Sequence, residues 1–358
     1  MTQLYNEFHS NLFKAMQDPS YINLAIGQPN FKPPEDILKT LKEKIGSHTG
    51  YTDIEGLPKL RNQIKKKLLV ENKIKTEKVI VTNGAVEAIF DSMLTHLKSH
   101  SEIILFSPHY GKYVTAPNIV GAKIKTIPMK NKRPDLETLK HSITKNTKMI
   151  IVNSPCNPTG IVFSKDEIKQ LTELVEKFNL ILLSDEVYEK YVYDGKQFIS
   201  PGMYSDRVIT INSFSKTYGF PGLRLGYLAG TSDLVDPILK IHMSNTTCSP
   251  YNSQMAAITA MKLGYNSFDL SSFDKRRKIV MKFLDEYKIN YIYPEGAFYF
   301  YIYVDEDSAK LSTKLFDKKL LVMPSKLFCD NSNALRISYA IDIKKLEKGL
   351  KILRIDIN

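Results

Sequence analysis

The segment Ile211–Gly230, INSFSKTYGFPGLRLGYLAG, carries the most information about the fold. An apolar run ends at Asn212, and a loop with Ser213, Lys216 and Arg224 follows before the next apolar run. A lysine held at the carboxyl end of a strand, near an arginine, fits an amine that bonds covalently to a carbonyl compound beside a phosphate anchor. From these residues alone, a basic surface loop remains the alternative.

Short apolar runs recur along the first two thirds of the chain and predict buried strands. Helix-period segments lie between several of them, for example Ser164–Asn179, where Ser164 and Glu167 form a predicted capping box. This alternation predicts an α/β fold with a mostly parallel seven-stranded sheet covered by helices, in which ligands bind at the carboxyl ends of the strands. The predicted strands are Val79–Thr82, Glu102–Phe106, Lys123–Ile127, Met149–Val152, Leu180–Ser184, Val208–Asn212 and Leu225–Ala229.

The last third has a different pattern, which predicts a smaller α+β domain. A helical stretch over Asn252–Tyr287, interrupted near Gly264–Ser267, precedes aromatic alternation in Ala297–Val304. Helices from Ser308 and near Ile343–Leu353 follow. We therefore predict a large domain over residues 45–265 and a small domain formed by residues 1–44 together with residues 266–358.

Composition describes a soluble globular protein: 43% of the 358 residues are hydrophobic and 25% are charged, which excludes disorder, collagen and coiled coil. No stretch approaches the roughly 18 apolar residues of a membrane helix, and the first residues have no leader pattern, so we expect a cytoplasmic protein without a membrane partner. Cys156, Cys248 and Cys329 lack CxxC spacing, and we expect neither disulfides nor a metal site.

The net charge of +12 favours anionic ligands. Most of the excess is lysine in helix-like segments, without the interleaved aromatic residues of a base-stacking surface. We therefore expect a solvated lysine-rich surface and no nucleic-acid partner.

Two further segments place polar side chains at strand ends. Leu180–Tyr191, LILLSDEVYEKY, puts Asp185 and Tyr188 after an apolar strand, where a buried carboxylate needs a cationic partner such as a pyridinium nitrogen. A cap on a following helix is the alternative for Asp185. Asn153–Gly160, NSPCNPTG, contains Asn157 and two X-Pro bonds that are candidates for the cis form, with a simple turn as the alternative.

Together these three segments resemble the class I/II aminotransferases, the fold-type I pyridoxal-phosphate (PLP) enzymes of the aspartate aminotransferase superfamily, and the resemblance covers nearly the whole chain. It implies that PLP is the cofactor and that Lys216 is the lysine that binds it covalently. The same matching implies Ser213 and Arg224 as phosphate ligands, Asp185 as partner of the pyridine nitrogen, and Tyr188 and Asn157 as donors to the ring's phenolic oxygen.

The resemblance extends to two more cofactor segments. In Thr82–Ala88, TNGAVEA, the backbone amides of Gly84, Ala85 and Val86 match the turn that holds the phosphate, although relatives carry a hydroxyl or lysine at the position of Val86. In Ser107–Tyr113, SPHYGKY, Tyr110 matches the aromatic residue that stacks on the pyridine ring, and a core tyrosine is the alternative.

Other matches concern the substrate and the partner subunit. Tyr51 matches a tyrosine that reaches the neighbouring subunit's phosphate, which implies a homodimer with shared active sites. Gly27 in INLAIGQPNF matches the glycine near the substrate carboxylate, where Asn157 is also expected, and Arg336 in NALRISYA matches the arginine that binds the α-carboxylate. For Arg336 the alternative is a surface salt bridge. MPSKLFCD at 323–330 departs from the glycine-bearing loop of relatives, which leaves the pocket shape there open.

The function implied is a PLP-dependent aminotransferase that moves an amino group between an L-amino acid and a 2-oxo acid by ping-pong kinetics, with Lys216, Asp185 and Tyr188 as catalytic residues. The same anchors serve other PLP reactions, so an oxidase or hydroxylase, a lyase or a synthase is the alternative. A basic binding protein without catalytic activity is a third hypothesis. No position identifies the substrate's side chain.

Overall fold

The computed structural model describes residues 2–265 and 268–357. The helices are α1 (Thr2–Gln17), α2 (Glu35–Lys44), α3 (Pro58–Glu71), α4 (Ala85–His96), α5 (Thr115–Val120), α6 (Leu136–Ser142), α7 (Lys165–Lys177), α8 (Ser232–Val235), α9 (Ile238–Asn245), α10 (Tyr251–Leu263), α11 (Leu270–Glu286), α12 (Ser308–Asp317) and α13 (Ile343–Ile357). The strands are β1 (Ile22–Asn23), β2 (Lys78–Thr82), β3 (Glu102–Ser107), β4 (Lys123–Pro128), β5 (Thr147–Asn153), β6 (Ile181–Asp185), β7 (Val208–Ser213), β8 (Gly226–Gly230), β9 (Tyr291–Ile292), β10 (Tyr299–Tyr303), β11 (Leu320–Leu321), β12 (Met323–Pro324) and β13 (Ala334–Ser338).

Seven strands form one sheet in the order β2-β8-β7-β6-β5-β3-β4. β8 is antiparallel to both of its neighbours, and the remaining pairs are parallel. The predicted α/β class and mostly parallel sheet are confirmed. All seven predicted strands are present, and their ends differ from the prediction by no more than two residues.

Helices cover both faces of this sheet, which explains why its strands are almost continuously apolar. Successive side chains of a strand point to opposite faces. In β3, Ile103 and Leu105 pack in a core with α4, α5, α8 and α9, whereas Ile104 and Phe106 pack in a core with α6 and α7. The capping box of α7 is present, since Ser164 and Glu167 exchange backbone-to-side-chain hydrogen bonds.

The last third of the chain forms a second sheet of order β12-β13-β10-β9, in which every pair is antiparallel. Phe298, Phe300 and Ile302 pack there against side chains of α11, α12 and α13. The predicted helical stretch is split between α10 and α11; of the predicted interruption, residues 266 and 267 lie outside the described residues. Within the described ranges, no helix combines the length and apolarity that crossing a membrane requires.

The N-terminal segment makes contacts with both parts of the molecule. β1 pairs in parallel with β11, next to the second sheet. α2 instead packs on α10, and its buried Ile37 shares a core with Leu60 and Ile64 of α3. The division into residues 45–265 and residues 1–44 with 266–358 stays a prediction, and α2 lies on the side of the large unit.

Candidate active site

A cavity of about 360 Å³ opens where β5, β6 and β7 end. These neighbouring strands end at Asn153, Asp185 and Ser213, so their last side chains meet at one edge of the sheet. Sequence-predicted site residues that line the cavity are Gly27, Ala85, Val86, Tyr110, Asn157, Asp185, Tyr188, Ser213, Lys216, Arg224 and Arg336. The fold thus brings together residues from both ends of the chain.

Lys216 follows β7 and extends into the cavity. Its ε-amine donates a hydrogen bond to the carbonyl oxygen of Gly27 and lies 5.6 Å from the centre of the Tyr188 ring. Burial and the positive charge of Arg336 lower its pKa from 10.5 to about 8, although Asp185 acts in the opposite direction. Desolvation of this kind is one way to obtain a nucleophilic lysine. A basic surface loop does not describe this residue.

Asp185 is the buried last residue of β6. The Tyr113 hydroxyl donates to Oδ2 at 2.6 Å, and the backbone N–H of Val187 donates to Oδ1 at 3.3 Å. Burial raises its pKa from 3.8 to about 6, although both hydrogen bonds lower it. The segment that follows is a turn, so Asp185 does not cap a helix. A carboxylate in such surroundings favours a nearby cation.

Arg336 lies in the middle of β13 and is buried. Its Nη1 donates to Oδ1 of Asn157 at 2.8 Å, and its Nη2 donates to the carbonyl oxygen of Ala25. Its Nε has no hydrogen-bond partner in the described part of the chain. Because the residue is buried and these partners are uncharged, a surface salt bridge does not describe it, and its charge is available to an anion.

Tyr188 contacts Tyr299, a cavity residue that the sequence analysis did not identify. Their hydroxyl oxygens are 2.8 Å apart, and the Tyr299 ring centre lies 4.3 Å from the Arg336 guanidinium carbon. A Cβ atom added to Gly27 would lie 1.9 Å from the Tyr299 hydroxyl oxygen. Only glycine therefore fits at position 27 without moving the tyrosine.

The turn before α4 is the predicted phosphate-binding segment. Gly84 precedes the helix with a φ of +85°, and its N–H already donates to the carbonyl oxygen of Thr82 at 2.8 Å. The first helical amides therefore begin at Ala85, where a helix N-terminus favours an anion. Arg224 Nη2 donates to the carbonyl oxygen of Asn83 at 3.3 Å and would lie 2.5 Å from a Cβ atom at Gly84. Arginine and turn are thus in direct contact.

The remaining predicted residues differ in position. Tyr110 lines the cavity and packs edge-to-face on Tyr113, with ring centres 5.6 Å apart, so it is not simply a core tyrosine. Val86 lines the cavity with an apolar side chain, and no side-chain phosphate ligand exists at that position.

Tyr51 is 83% exposed and does not line the cavity. Its contact with a partner subunit stays a prediction.

Both X-Pro bonds of NSPCNPTG, Ser154–Pro155 and Asn157–Pro158, are cis, which confirms them as cis candidates. The segment 323–330 forms β12 and a 3₁₀ turn. Met323 pairs with Arg336 in the register of β12 and β13. The ring centre of Phe328 lies 5.0 Å from the guanidinium carbon of Arg336. Cys329, with a φ of +54°, occupies a left-handed position that glycine would ordinarily favour.

Several lining residues were missed by sequence reasoning; they include Phe8, Leu12, Ile26, Ile89, Asn153, Val187, Ser215, Pro221, Tyr299 and Met323. Two weak signals existed. Phe8 and Leu12 are four residues apart, which places them on one face of α1. Tyr113, which binds Asp185, follows Tyr110 by three residues within a predicted motif. The aromatic alternation that includes Tyr299 predicted a strand without indicating which face meets the cavity.

Comparisons with known proteins identify the family of this chain. Residues 19–353 match the family described as aminotransferase class I and II. The chain is 38% identical to a probable aspartate aminotransferase of Methanocaldococcus jannaschii, with 93% of this chain and 92% of the relative covered. It is 32% identical to aromatic-amino-acid aminotransferase 2 of Thermococcus litoralis, with 92% and 90% covered.

The fold agrees with that of a solved relative. Superposition on the aspartate aminotransferase of Thermotoga maritima gives a TM-score of 0.91 at 30% identity, over 99% of this chain and 96% of that one. The family match spans nearly the whole chain, and the relatives are covered almost end to end. The chain therefore belongs to the class I and II aminotransferase family and is an aminotransferase.

Proposed function

We propose that this aminotransferase uses PLP, bound covalently by Lys216, to move an amino group between an L-amino acid and a 2-oxo acid by ping-pong kinetics. The observation that carries the proposal is the Lys216 amine, which has a lowered pKa and lies in a cavity that Asp185 and Arg336 also line. Such a reaction needs an amine that bonds covalently to the cofactor, a buried carboxylate, and a guanidinium whose hydrogen-bond partners are uncharged, so that it can bind a carboxylate.

Three features of the cavity fit PLP. Asp185 is buried with uncharged hydrogen-bond partners, so the protonated pyridine nitrogen would supply the missing cation. Arg224 lies against the turn at Gly84, so its positive charge and the backbone amides that follow the turn can bind a phosphate together. We propose that Ser213, Arg224 and the α4 amides hold the phosphate, that Asp185 binds the pyridine nitrogen, that Tyr188 and Asn157 bind the ring oxygen, and that Tyr110 packs on the ring.

When bound, PLP supplies an electron-withdrawing ring for chemistry at the amino acid's Cα. The chain's own residues do the rest. Arg336 binds the α-carboxylate through paired N–H groups and fixes the orientation of the Cα–H bond. Once the amino acid has displaced it, the free Lys216 amine would take the Cα proton and deliver it to the C4′ atom of the cofactor, and the second half-reaction would run this transfer in reverse. Its lowered pKa makes the unprotonated amine accessible near neutral pH. Asp185 stabilises positive charge on the ring nitrogen.

The walls of the cavity support a proposal for the substrate's side chain. The cationic residues lining it in the described part of the chain are Lys216, Arg224 and Arg336, and each has a proposed partner. The lining also includes the apolar side chains of Phe8, Leu12, Ile26 and Met323, and three of these, Phe8 and Leu12 of α1 and Met323, pack together as an apolar wall. We therefore propose that an apolar or aromatic amino acid is preferred over aspartate, because a second carboxylate would lie unpaired against this wall.

A homodimer with shared sites is also proposed. Its support is the 83% exposure of the Tyr51 side chain, which a partner surface would cover. Inactive Lys216→Ala and Tyr51→Ala subunits should regain activity when they are unfolded and refolded together, because some heterodimers then have one intact site. A stable, active monomer in sedimentation would contradict this. Three free cysteines fit a cytoplasmic location.

The function is tested on the purified protein with its cofactor. Borohydride reduction followed by peptide mapping should place a pyridoxyl group on Lys216. In separate samples that have not been reduced, single-turnover reactions with phenylalanine and with aspartate should each release one equivalent of the matching 2-oxo acid and leave aminated cofactor, with the larger second-order rate constant for phenylalanine. Label on another lysine, or release of ammonia or peroxide, would favour one of the alternative PLP reactions.

A further inference from the structure

A buried charge cluster lies directly behind the predicted phosphate-binding turn. Glu87 and Asp91 are one turn apart on α4 and both face His242 of α9, whose side chain is fully buried. The Nδ1 atom of His242 is 2.8 Å from Oε1 of Glu87 and 3.6 Å from Oδ2 of Asp91. Its Nε2 atom is 3.1 Å from the carbonyl oxygen of Ile54.

The surroundings of His242 favour its protonated form. Carboxylate oxygens lie near Nδ1 and a carbonyl oxygen lies near Nε2, and a ring that carries a hydrogen on both nitrogens can donate to both sides. Burial lowers the pKa of His242, but the contacts with Asp91 and Glu87 outweigh it and raise the pKa to about 9. The positive charge of His242 therefore offsets the negative charge of Glu87, whose pKa is held below its ordinary value by this contact.

Glu87 connects this cluster to the turn. It lies in the first turn of α4, immediately after Ala85 and Val86, and its Oε2 accepts from the backbone N–H of Asn83 at 3.3 Å. The Thr246 hydroxyl donates to the same oxygen at 3.0 Å. The Glu87 side chain thus holds the turn that precedes α4, where the backbone amides proposed to bind the phosphate lie. Its negative charge is therefore close to the proposed position of the phosphate dianion.

His242 also contacts the segment proposed to serve the other subunit. Ile54, whose carbonyl faces Nε2, lies three residues after Tyr51. One imidazolium therefore bridges the α4 turn of its own site and the Tyr51 segment of the proposed partner site. It offsets the charge of Glu87 and holds both segments in place.

We propose that His242 is a positioning residue for the cofactor phosphate, acting through Glu87 on the α4 turn and through Ile54 on the Tyr51 segment. This rests on the proposed function only in taking PLP as the ligand. A residue that acts on the phosphate should change affinity for PLP but not for pyridoxal, which has the same ring without a phosphate. A residue needed only for folding would change both alike.

The experiment measures the dissociation constants of PLP and pyridoxal by absorbance titration of the cofactor-free protein. His242→Gln keeps a hydrogen-bond donor but removes the positive charge, and should weaken PLP binding roughly tenfold or more while pyridoxal binding changes less than about threefold. His96→Gln is the matched control. His96 is the last residue of α4 and, like His242, contacts a carbonyl oxygen, that of Leu234, but it lies outside the cluster. It should change neither affinity.

Glu87 provides a second variant of opposite sign. Glu87→Gln removes a negative charge near the phosphate and should leave PLP affinity unchanged or raise it, and adding it to His242→Gln should restore at least part of the lost affinity. This double variant also tests the proposal if His242→Gln alone does not fold. Equal loss of PLP and pyridoxal binding in His242→Gln, or loss of PLP binding in Glu87→Gln without any restoration in the double variant, would overturn it.

A metal ion is the competing occupant, because the three ligand atoms lie within 4.8 Å of one another. Thermal unfolding of the cofactor-free protein with Zn²⁺ or Mn²⁺ separates the two. Stabilisation by either metal that His242→Gln abolishes would overturn the proposal in favour of a metal site. If the unaltered protein binds no PLP, the proposed function fails; if it binds PLP and His242→Gln binds it equally, only this inference fails.

Discussion

The ε-amine of Lys216 donates a hydrogen bond to the backbone carbonyl of Gly27, which lies 189 residues earlier in the chain. The N-terminal segment thereby closes one side of the cavity over the lysine. This cover removes the amine from solvent, and loss of solvation is the main reason that its pKa falls to about 8. The contact thus relates the reactivity of the lysine to the placement of a distant segment.

The pKa of Lys216 predicts how PLP attachment depends on pH. Only the neutral amine attacks a carbonyl, so the rate constant for attachment to cofactor-free protein should rise with pH and become constant above about 8. The matched control is Nα-acetyl-lysine, whose free ε-amine has an ordinary pKa of about 10.4. Its rate constant for reaction with PLP should still be rising at pH 9. Stopped-flow absorbance measures both. A protein profile that follows the control would mean that Lys216 is not desolvated.

Asp185 predicts a stability that depends on pH in the cofactor-free protein. Its folded pKa of about 6 exceeds the ordinary 3.8, so the unfolded state loses its proton first, and the free energy of unfolding should fall as pH rises from about 4 to 6. Asp185→Asn should therefore be more stable than the parent by up to about 3 kcal/mol at pH 7 and equal to it near pH 4, although transamination is lost.

Urea unfolding at several pH values measures this difference. Asp194→Asn is the control of opposite sign, because Arg277 pairs with Asp194 and lowers its pKa. That substitution should destabilise the protein at pH 7. If Asp185→Asn also lowers the free energy of unfolding at pH 7, burial of the ionised Asp185 carboxylate does not destabilise the folded protein.

Gly27 is predicted to tolerate no side chain while Tyr299 is present. Gly27→Ala should lower both kcat/KM and stability, by about 1–3 kcal/mol of unfolding free energy, because the new methyl group overlaps the Tyr299 hydroxyl. Gly27→Ala with Tyr299→Phe should recover part of the stability, since the atom in closest contact is gone. Gly222→Ala is the control, because nothing lies within 4 Å of its added Cβ atom. If thermal unfolding shows that the double variant is no more stable than Gly27→Ala, the proposed overlap with the Tyr299 hydroxyl is wrong.

Arg336→Lys should lower kcat/KM about tenfold to a thousandfold for every amino acid tested, because lysine is a point donor and cannot pair with both carboxylate oxygens. The absorption spectrum of bound PLP and the melting temperature should remain close to those of the parent. Arg207→Lys, at a partly exposed ion pair with Asp233, is the matched control and should not change kcat/KM. A loss confined to one kind of side chain would place Arg336 in the side-chain pocket instead.

The sequence by itself determined the strands of the large sheet and those site residues that are close to one another along the chain. The strands of the large sheet are buried on both faces, so their apolar runs are nearly continuous and could be recognised. Ser213 and Asp185 end neighbouring strands, and Lys216 and Arg224 share the loop after Ser213, so local rules place them at the carboxyl edge of the sheet. The resemblance then assigned their chemistry, and the family match confirms the aminotransferase class.

Only the tertiary structure decided which distant side chains meet there. Tyr299 reaches Gly27 and Tyr188 because β10 pairs with β13 in a particular register, and a strand pattern does not specify its partner or the surface that its face meets. Likewise, α2 joins the core of α3 and α10 rather than the second sheet. His242 lies between two carboxylates because α9 packs on α4. Contacts between such elements depend on how apolar faces are buried together in three dimensions, and local sequence carries little of that information.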